Sequence, residues 1–202
     1  MQIVTLIMSA TIFPPIFDGK ILALIGALFV LYVVLYVSVL TILFFTKPLY
    51  SANFDHRGKH VVVTGGSSGI GLEVAREYIS RGSNVTIVAR NQQRLDAALG
   101  ELRQYCTAGQ KVTAVSVDCA SSIDTVAEAL SPVIENVGDV DVLINSAGTS
   151  IAAAFDQTDP GDFEKMLRIN VLGSIYPTRA VVDRMKRNKR GRIVFVSSQV
   201  SW

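Results

Sequence analysis

The residues of this chain best suited to chemistry are Thr64-Gly65-Gly66-Ser67-Ser68-Gly69-Ile70-Gly71, which follow the apolar run His60–Val63 and precede a helical pattern. Strand, glycine turn and helix N-terminus in that order form a dinucleotide-phosphate site. Glycines at Gly65, Gly69 and Gly71 let the backbone turn tightly and come close to a pyrophosphate. The free N–H groups and helix dipole from Ile70 onward favour the anion, and the hydroxyls of Ser67 and Ser68 can add hydrogen bonds to it. A dinucleotide site also selects between a ribose 2′-hydroxyl, met by an acid after the second strand, and a 2′-phosphate, met by a cation. Here that strand ends Val88-Ala89-Arg90, with Arg94 one helical turn later and no acid at the strand end. Read as site residues, Arg90 and Arg94 favour NADPH; read blandly, either is a surface arginine. Cys106 and Cys119 have no CxxC or metal spacing and fit reduced cytosolic thiols, so no zinc site or disulfide is expected.

These groups need a scaffold, and the pattern around them supplies one. Apolar strands expected at His60–Thr64, Val85–Ala89, Val112–Val117, Val140–Ile144 and Ile193–Ser197 alternate with helices at Ile70–Arg81, Gln92–Tyr105, Ile123–Asn136 and Asp162–Lys186. Such alternation implies right-handed crossovers and an α/β fold, a Rossmann-type doubly wound parallel sheet with helices on both faces. Leu95, Leu99 and Leu102, and Ile123, Val126, Ala127 and Leu130, make core stripes.

Upstream, Ile21–Phe45 contains no charged residue. As a helix it would span about 37 Å, enough to cross a hydrocarbon core of about 30 Å with some tilt. It is too long for a signal-peptide core, no basic segment precedes Met8 and no small-residue cleavage pattern precedes Lys47, so a retained transmembrane helix is expected. The expected domains are an N-terminal lumenal or interfacial segment (1–20), the transmembrane helix (21–46), a polar linker (47–58) and an NADPH-binding domain (59–202). Lys47, Arg57 and Lys59 follow the span, placing the domain on the cytosolic side. A net charge of +2 over 202 residues is too nearly balanced to imply a nucleic-acid partner. The basic run Lys186–Arg192 reads first as a solvated helix end, and second as a contact for anionic lipid headgroups.

The TGxxxGxG spacing at Thr64–Gly71, Asn145-Ser146-Ala147-Gly148, Asn170 within Leu167–Val171, and Gly191–Ser198 together resemble the short-chain dehydrogenase/reductase family. The resemblance implies that Asp118, after the third strand, meets the adenine amino edge; Asp118 can equally cap the helix that follows. It implies that Ala147 and Gly148 let the cofactor lie against the fourth strand, that Asn145 stabilises the central sheet, and that Asn170 holds a helix bend and a water. Ser198 is implied as the catalytic serine that bonds a substrate carbonyl, with a tyrosine donating the proton and a lysine lowering the tyrosine's pKa. None of the six tyrosines has a lysine four residues later, and the family's Tyr-x-x-x-Lys lies beyond Ser198. The expectation is therefore a chain truncated within the active site, its sheet incomplete at the C-terminal side, with an exposed fifth-strand edge and doubtful turnover.

Within that family, the peptides at 88–91, 169–180 and 191–199, together with the anchor, resemble the membrane-anchored reductases of sphingolipid synthesis. That implies NADPH-dependent reduction of a long-chain amino ketone lipid, 3-ketosphinganine, at the endoplasmic reticulum membrane. The alternatives are another anchored reductase acting on a steroid, retinoid or acyl ketone, and a non-catalytic truncated isoform. A homo-oligomer is left open, and no nucleic-acid partner is expected.

Overall fold

The computed structural model describes residues 19–51 and 55–197, which belong to two separate units dividing after Phe54. In the first, helix α1 runs Gly19–Ser51. Within it, Ala23–Phe45 is long and apolar enough to cross a membrane. The serine and threonine hydroxyls of that stretch are satisfied inside the helix, Ser38 Oγ donating to Val34 O at 2.7 Å and Thr41 Oγ1 to Val37 O at 2.8 Å, so neither requires water in a hydrocarbon environment. The helix extends past the expected span of 21–46, through Lys47 and Pro48 into the stretch read as linker. A proline forfeits one amide hydrogen bond but has a helix-compatible φ, so it does not by itself end a helix. The segment read as lumenal or interfacial lies almost wholly outside the described residues.

The second unit is a five-stranded sheet in the order β3-β2-β1-β4-β5, all parallel, built from β1 (His60–Thr64), β2 (Asn84–Ala89), β3 (Val112–Ser116), β4 (Val142–Asn145) and β5 (Arg192–Phe195). Between the strands run α2 (Gly69–Ser80), α3 (Gln92–Arg103) and α4 (Ile123–Val137). The chain from β4 to β5 runs through a 3₁₀ turn (Phe155–Gln157), α5 (Pro160–Leu167), a π-helical turn (Arg168–Leu172) and α6 (Gly173–Arg187). This is the expected doubly wound arrangement. The long helix expected over Asp162–Lys186 is instead interrupted at the π turn.

Strand β1 is buried on both faces, as a central parallel strand must be. Val62, Val88, Val126, Leu130, Leu143, Val181 and Met185 form one continuous core cluster. Of the expected stripes, Leu95, Leu102, Val126 and Leu130 are buried, whereas Ile123 is 40% exposed and Ala98 and Ile134 take inward positions.

His60 opens β1 and is 2% exposed. Its Nδ1 lies 2.7 Å from Gly138 O, which can only accept, so Nδ1 carries the proton. Its Nε2 accepts from Thr86 Oγ1 at 2.8 Å, and that hydroxyl in turn accepts from Thr113 Oγ1 at 2.8 Å. A polar ladder thereby crosses β1, β2 and β3. Burial holds the His60 pKa below its usual value, against the smaller opposing pull of the Gly138 carbonyl, Asp141 and Asp139. At the other side of the sheet, β5 is largely exposed, with Phe195 at 56%, and among the described residues no strand pairs with its outer edge.

Candidate functional site

The strand ends converge on a cavity of about 840 Å³ at the C-terminal side of the sheet, where a doubly wound fold places its ligands. Its floor is the turn between β1 and α2. Gly65 has φ 69°, and a Cβ there would lie 2.8 Å from Ser146 O and 2.9 Å from Ala147 Cα, so only glycine lets the two turns approach this closely. A Cβ on Gly71 would meet Gly65 O at 2.5 Å, which fixes how near α2 packs to the turn. Gly69 has φ 55° and open space before it. Ser68 occupies the N-cap of α2 in extended geometry with no side-chain cap bond. The first amides of the helix are thus left without a side-chain acceptor, ready for an anion. Ser67, Ser68, Ile70 and Gly71 line the cavity.

At the end of β2, Arg90 and Arg94 also line the cavity, both exposed and neither paired with a carboxylate among the described residues. Asn91 between them caps α3, its Oδ1 accepting from Arg94 N at 2.9 Å, which fixes where both arginines start. After β3, Asp118 Oδ1 accepts from Ala120 N at 2.9 Å. Asp118 does not cap the following helix. Ser122 does so, its Oγ accepting from Thr125 N at 3.0 Å, because it sits directly before the first helical residue. Cys119 is buried beside Asp118, and burial together with that carboxylate pushes its thiol up to about 12, so it is neutral and unreactive at neutral pH.

At the end of β4, Asn145 is buried. Its Nδ2 donates to Thr178 Oγ1 at 3.1 Å, which ties the strand to α6, and its Oδ1 has no partner among the described residues. Ala147 and Gly148 line the cavity. Asn170 is exposed and sits in the π turn. Its side chain bonds the loop after β4: Oδ1 accepts from Thr149 N at 2.8 Å and Nδ2 donates to Thr149 O at 2.9 Å. A two-point amide clamp therefore holds the loop after β4 against the π turn. Ser197 lines the cavity, whereas Ser198 lies outside the described residues.

The sequence profile described as short chain dehydrogenase matches residues 59–202. The chain belongs to the short-chain dehydrogenase family. Among relatives in this family of oxidoreductases, a 3-dehydrosphinganine reductase from Danio rerio is 41% identical over 165 residues, covering 81% of this chain and 50% of that protein. The chain thus spans about half the length of the curated relatives it matches. Among solved structures, an NAD+-bound xylitol dehydrogenase aligns with TM-score 0.66 and 30% identity, covering 72% of this chain and 55% of that one. L-sorbose reductase from Gluconobacter frateurii, complexed with NADPH and L-sorbose, aligns with TM-score 0.64 and 29% identity at the same coverage.

The residue that leads the glycine turn has a second role that its spacing alone does not reveal. Thr64, 1% exposed, accepts from both Ser146 N and Ala147 N at 3.2 Å. It holds the turn after β4 against the glycine turn. A β-branched residue at a strand end reads as a strand former, and only its place directly before Gly65 hints at a second use.

Proposed function

We propose that this chain carries the dinucleotide-binding part, 59–202, of a membrane-anchored reductase that uses NADPH to convert 3-ketosphinganine to sphinganine at the endoplasmic reticulum, the domain facing the cytosol. The observation carrying the cofactor reading is one cavity that joins the uncapped N-terminus of α2 to two unpaired arginines at the end of β2. The α2 amides bind a diphosphate, Arg90 and Arg94 bind a 2′-phosphate, and Asp118 faces the adenine end. The substrate reading rests on the similarity to 3-dehydrosphinganine reductases, and the anchor suits a lipid substrate.

When bound, the cofactor supplies a hydride to the ketone carbon. Asn170 fixes the loop after β4, and Ser198 bonds the carbonyl oxygen. No Tyr-x-x-x-Lys occurs in this sequence, so residues 1–202 supply cradle and orientation but no lysine-paired tyrosine to donate the proton.

The test is fluorescence titration of chain 1–202 with NADPH and NADH, alongside turnover of 3-ketosphinganine. NADPH is expected to bind about 10- to 100-fold more tightly than NADH, matching the roughly 1.5–3 kcal/mol of a charge-assisted hydrogen bond. Arg90→Asp is expected to flatten or reverse that ratio. Equal affinities in the unmodified chain would remove Arg90 from the site. Turnover is expected only in a chain continuing through a Tyr-x-x-x-Lys, and comparable turnover by 1–202 would refute the assignment of the proton.

A further inference from the structure

The hydroxyl ladder across β1, β2 and β3 ends at a place the cofactor cavity does not use. Thr113, its outermost member, lines a second cavity of about 460 Å³ beside the edge strand, together with Arg103, Cys106, Lys111, Asn136 and Val137. At the other end of the ladder, His60 is buried at the start of β1. With the ring neutral, every proton along the ladder has a fixed place. Gly138 O can only accept, so Nδ1 carries the imidazole proton and Nε2 accepts from Thr86 Oγ1. Its proton committed to Nε2, Thr86 can only accept from Thr113 Oγ1. Thr113 therefore has no proton for the second cavity and offers it lone pairs alone.

Adding one proton reverses every hydroxyl bond in this row. An imidazolium donates from both nitrogens. Nδ1 keeps Gly138 O, and Nε2 now donates to Thr86 Oγ1. Thr86 must then pass its own proton to Thr113 Oγ1, its one other side-chain partner among the described residues. Thr113 is left with its O–H free for the cavity. No heavy atom has to move, because a hydroxyl both donates and accepts. The charged groups facing the ring are Asp139 and Asp141 in the turn before β4, joined at 3.3 Å to Arg184 and Arg190 respectively. β2 and β3 carry no charged residue and meet it through Thr86 and Thr113. α4 meets it through the Gly138 carbonyl just past its end. Burial opposes the imidazolium, while that carbonyl and the two aspartates favour it.

We propose that the His60–Thr86–Thr113 row is a proton-operated switch within the folded domain, turning Thr113 from an acceptor into a donor at the wall of the second cavity when His60 is protonated. The switch couples a buried ring to the outer edge of β3, two strand spacings or about 10 Å away. It differs from the loss of stability in acid that any buried histidine brings. Here the protonated ring persists in the folded chain, and Thr113 sets its proton affinity.

The test uses chain 1–202 in detergent micelles, labelled with nitrogen-15 histidine. The sequence has two histidines, so His56 serves as an internal reference. Long-range proton–nitrogen correlation distinguishes a ring nitrogen that carries a proton from one that does not. At about pH 7.5 the His60 proton is expected on Nδ1. On titration toward about pH 4 both nitrogens are expected to become protonated while the amides of β1 and β2 stay protected from hydrogen exchange. Thr113→Val keeps the shape and removes the last acceptor, so the imidazolium form would leave the Thr86 hydroxyl without a partner. The proton affinity of His60 is then expected to fall about tenfold, a midpoint lower by about one pH unit. Thr113→Ser keeps the hydroxyl and is expected to stay within about twofold, with the His56 midpoint unchanged in both variants. An unchanged His60 midpoint in Thr113→Val overturns the proposal. So does a ring that gains its second proton only where the β1 and β2 amides lose protection, since the charge would then belong to the unfolded chain.

Discussion

Thr64→Val replaces one β-branched side chain with another of nearly the same shape and removes a single oxygen. That oxygen accepts two main-chain amides, Ser146 N and Ala147 N, and sits 3.5 Å from Ile144 O. Thr64 is 1% exposed, so no water replaces it from the strand side, while Ser146 and Ala147 are half-buried and can recover part of their bonding. An amide left unpaired inside a protein costs about 1–3 kcal/mol. With partial recovery, the pair is worth about 2 kcal/mol of local stability, a factor of about 30 in the opening equilibrium. Hydrogen exchange read by mass spectrometry is the direct assay. In Thr64→Val the amides of Ser146 and Ala147 should exchange about 30-fold faster, while β3, which does not touch them, stays protected. Thr64→Ser keeps the oxygen and should remain within a few-fold of the unmodified chain. Unchanged exchange in the valine variant, or equal damage from serine, would show that Gly65 and the sheet hold the turn without Thr64.

Burial keeps the His60 pKa below 6.5, so the unfolded chain binds the extra proton first. Stability should be intact above pH 6.5 and fall as pH drops below it toward the folded value, a slope that urea unfolding should show and His60→Gln should reduce. With its thiol pushed up to about 12, Cys119 should resist iodoacetamide at pH 8 until the domain is unfolded, whereas half-buried Cys106 should react in the native state; native labelling of Cys119 ahead of Cys106 would contradict the burial argument. The chain should stay in the membrane fraction through alkaline carbonate, and a chain starting at residue 55 should not; release of both would remove α1 as an anchor.

The strands were legible because a buried parallel strand has little choice of residue: β1 begins and ends where the apolar run does. The glycine turn was legible for the same kind of reason, since Gly65 and Gly71 stand where any side chain would strike backbone. What the sequence concealed depends on partners far along the chain. The side-chain partner of Asn170 is Thr149, 21 residues away, which no local pattern reveals. Thr64 serves amides more than 80 residues distant. The cap of α4 could have been read locally, because Ser122 stands immediately before Ile123, while Asp118 lies four residues too early to reach the first free amides.

The strand order sets a timetable for the growing chain. β1 pairs with β2 on one edge soon after both are made, but its other edge belongs to β4, and the contact between His60 and Asp141 spans 81 residues. At about 5–20 residues per second, a ribosome leaves that central edge open for roughly 4–16 s. During this interval β3, β2 and β1 can exist as a half-sheet whose fully buried central strand is paired on one edge only. A parallel partner cannot arrive through a short hairpin, so no local substitute closes the edge sooner. The vulnerable species in the life of this protein is therefore its nascent half-sheet, and mutations that slow the arrival of β4 should reduce yield without altering the finished fold.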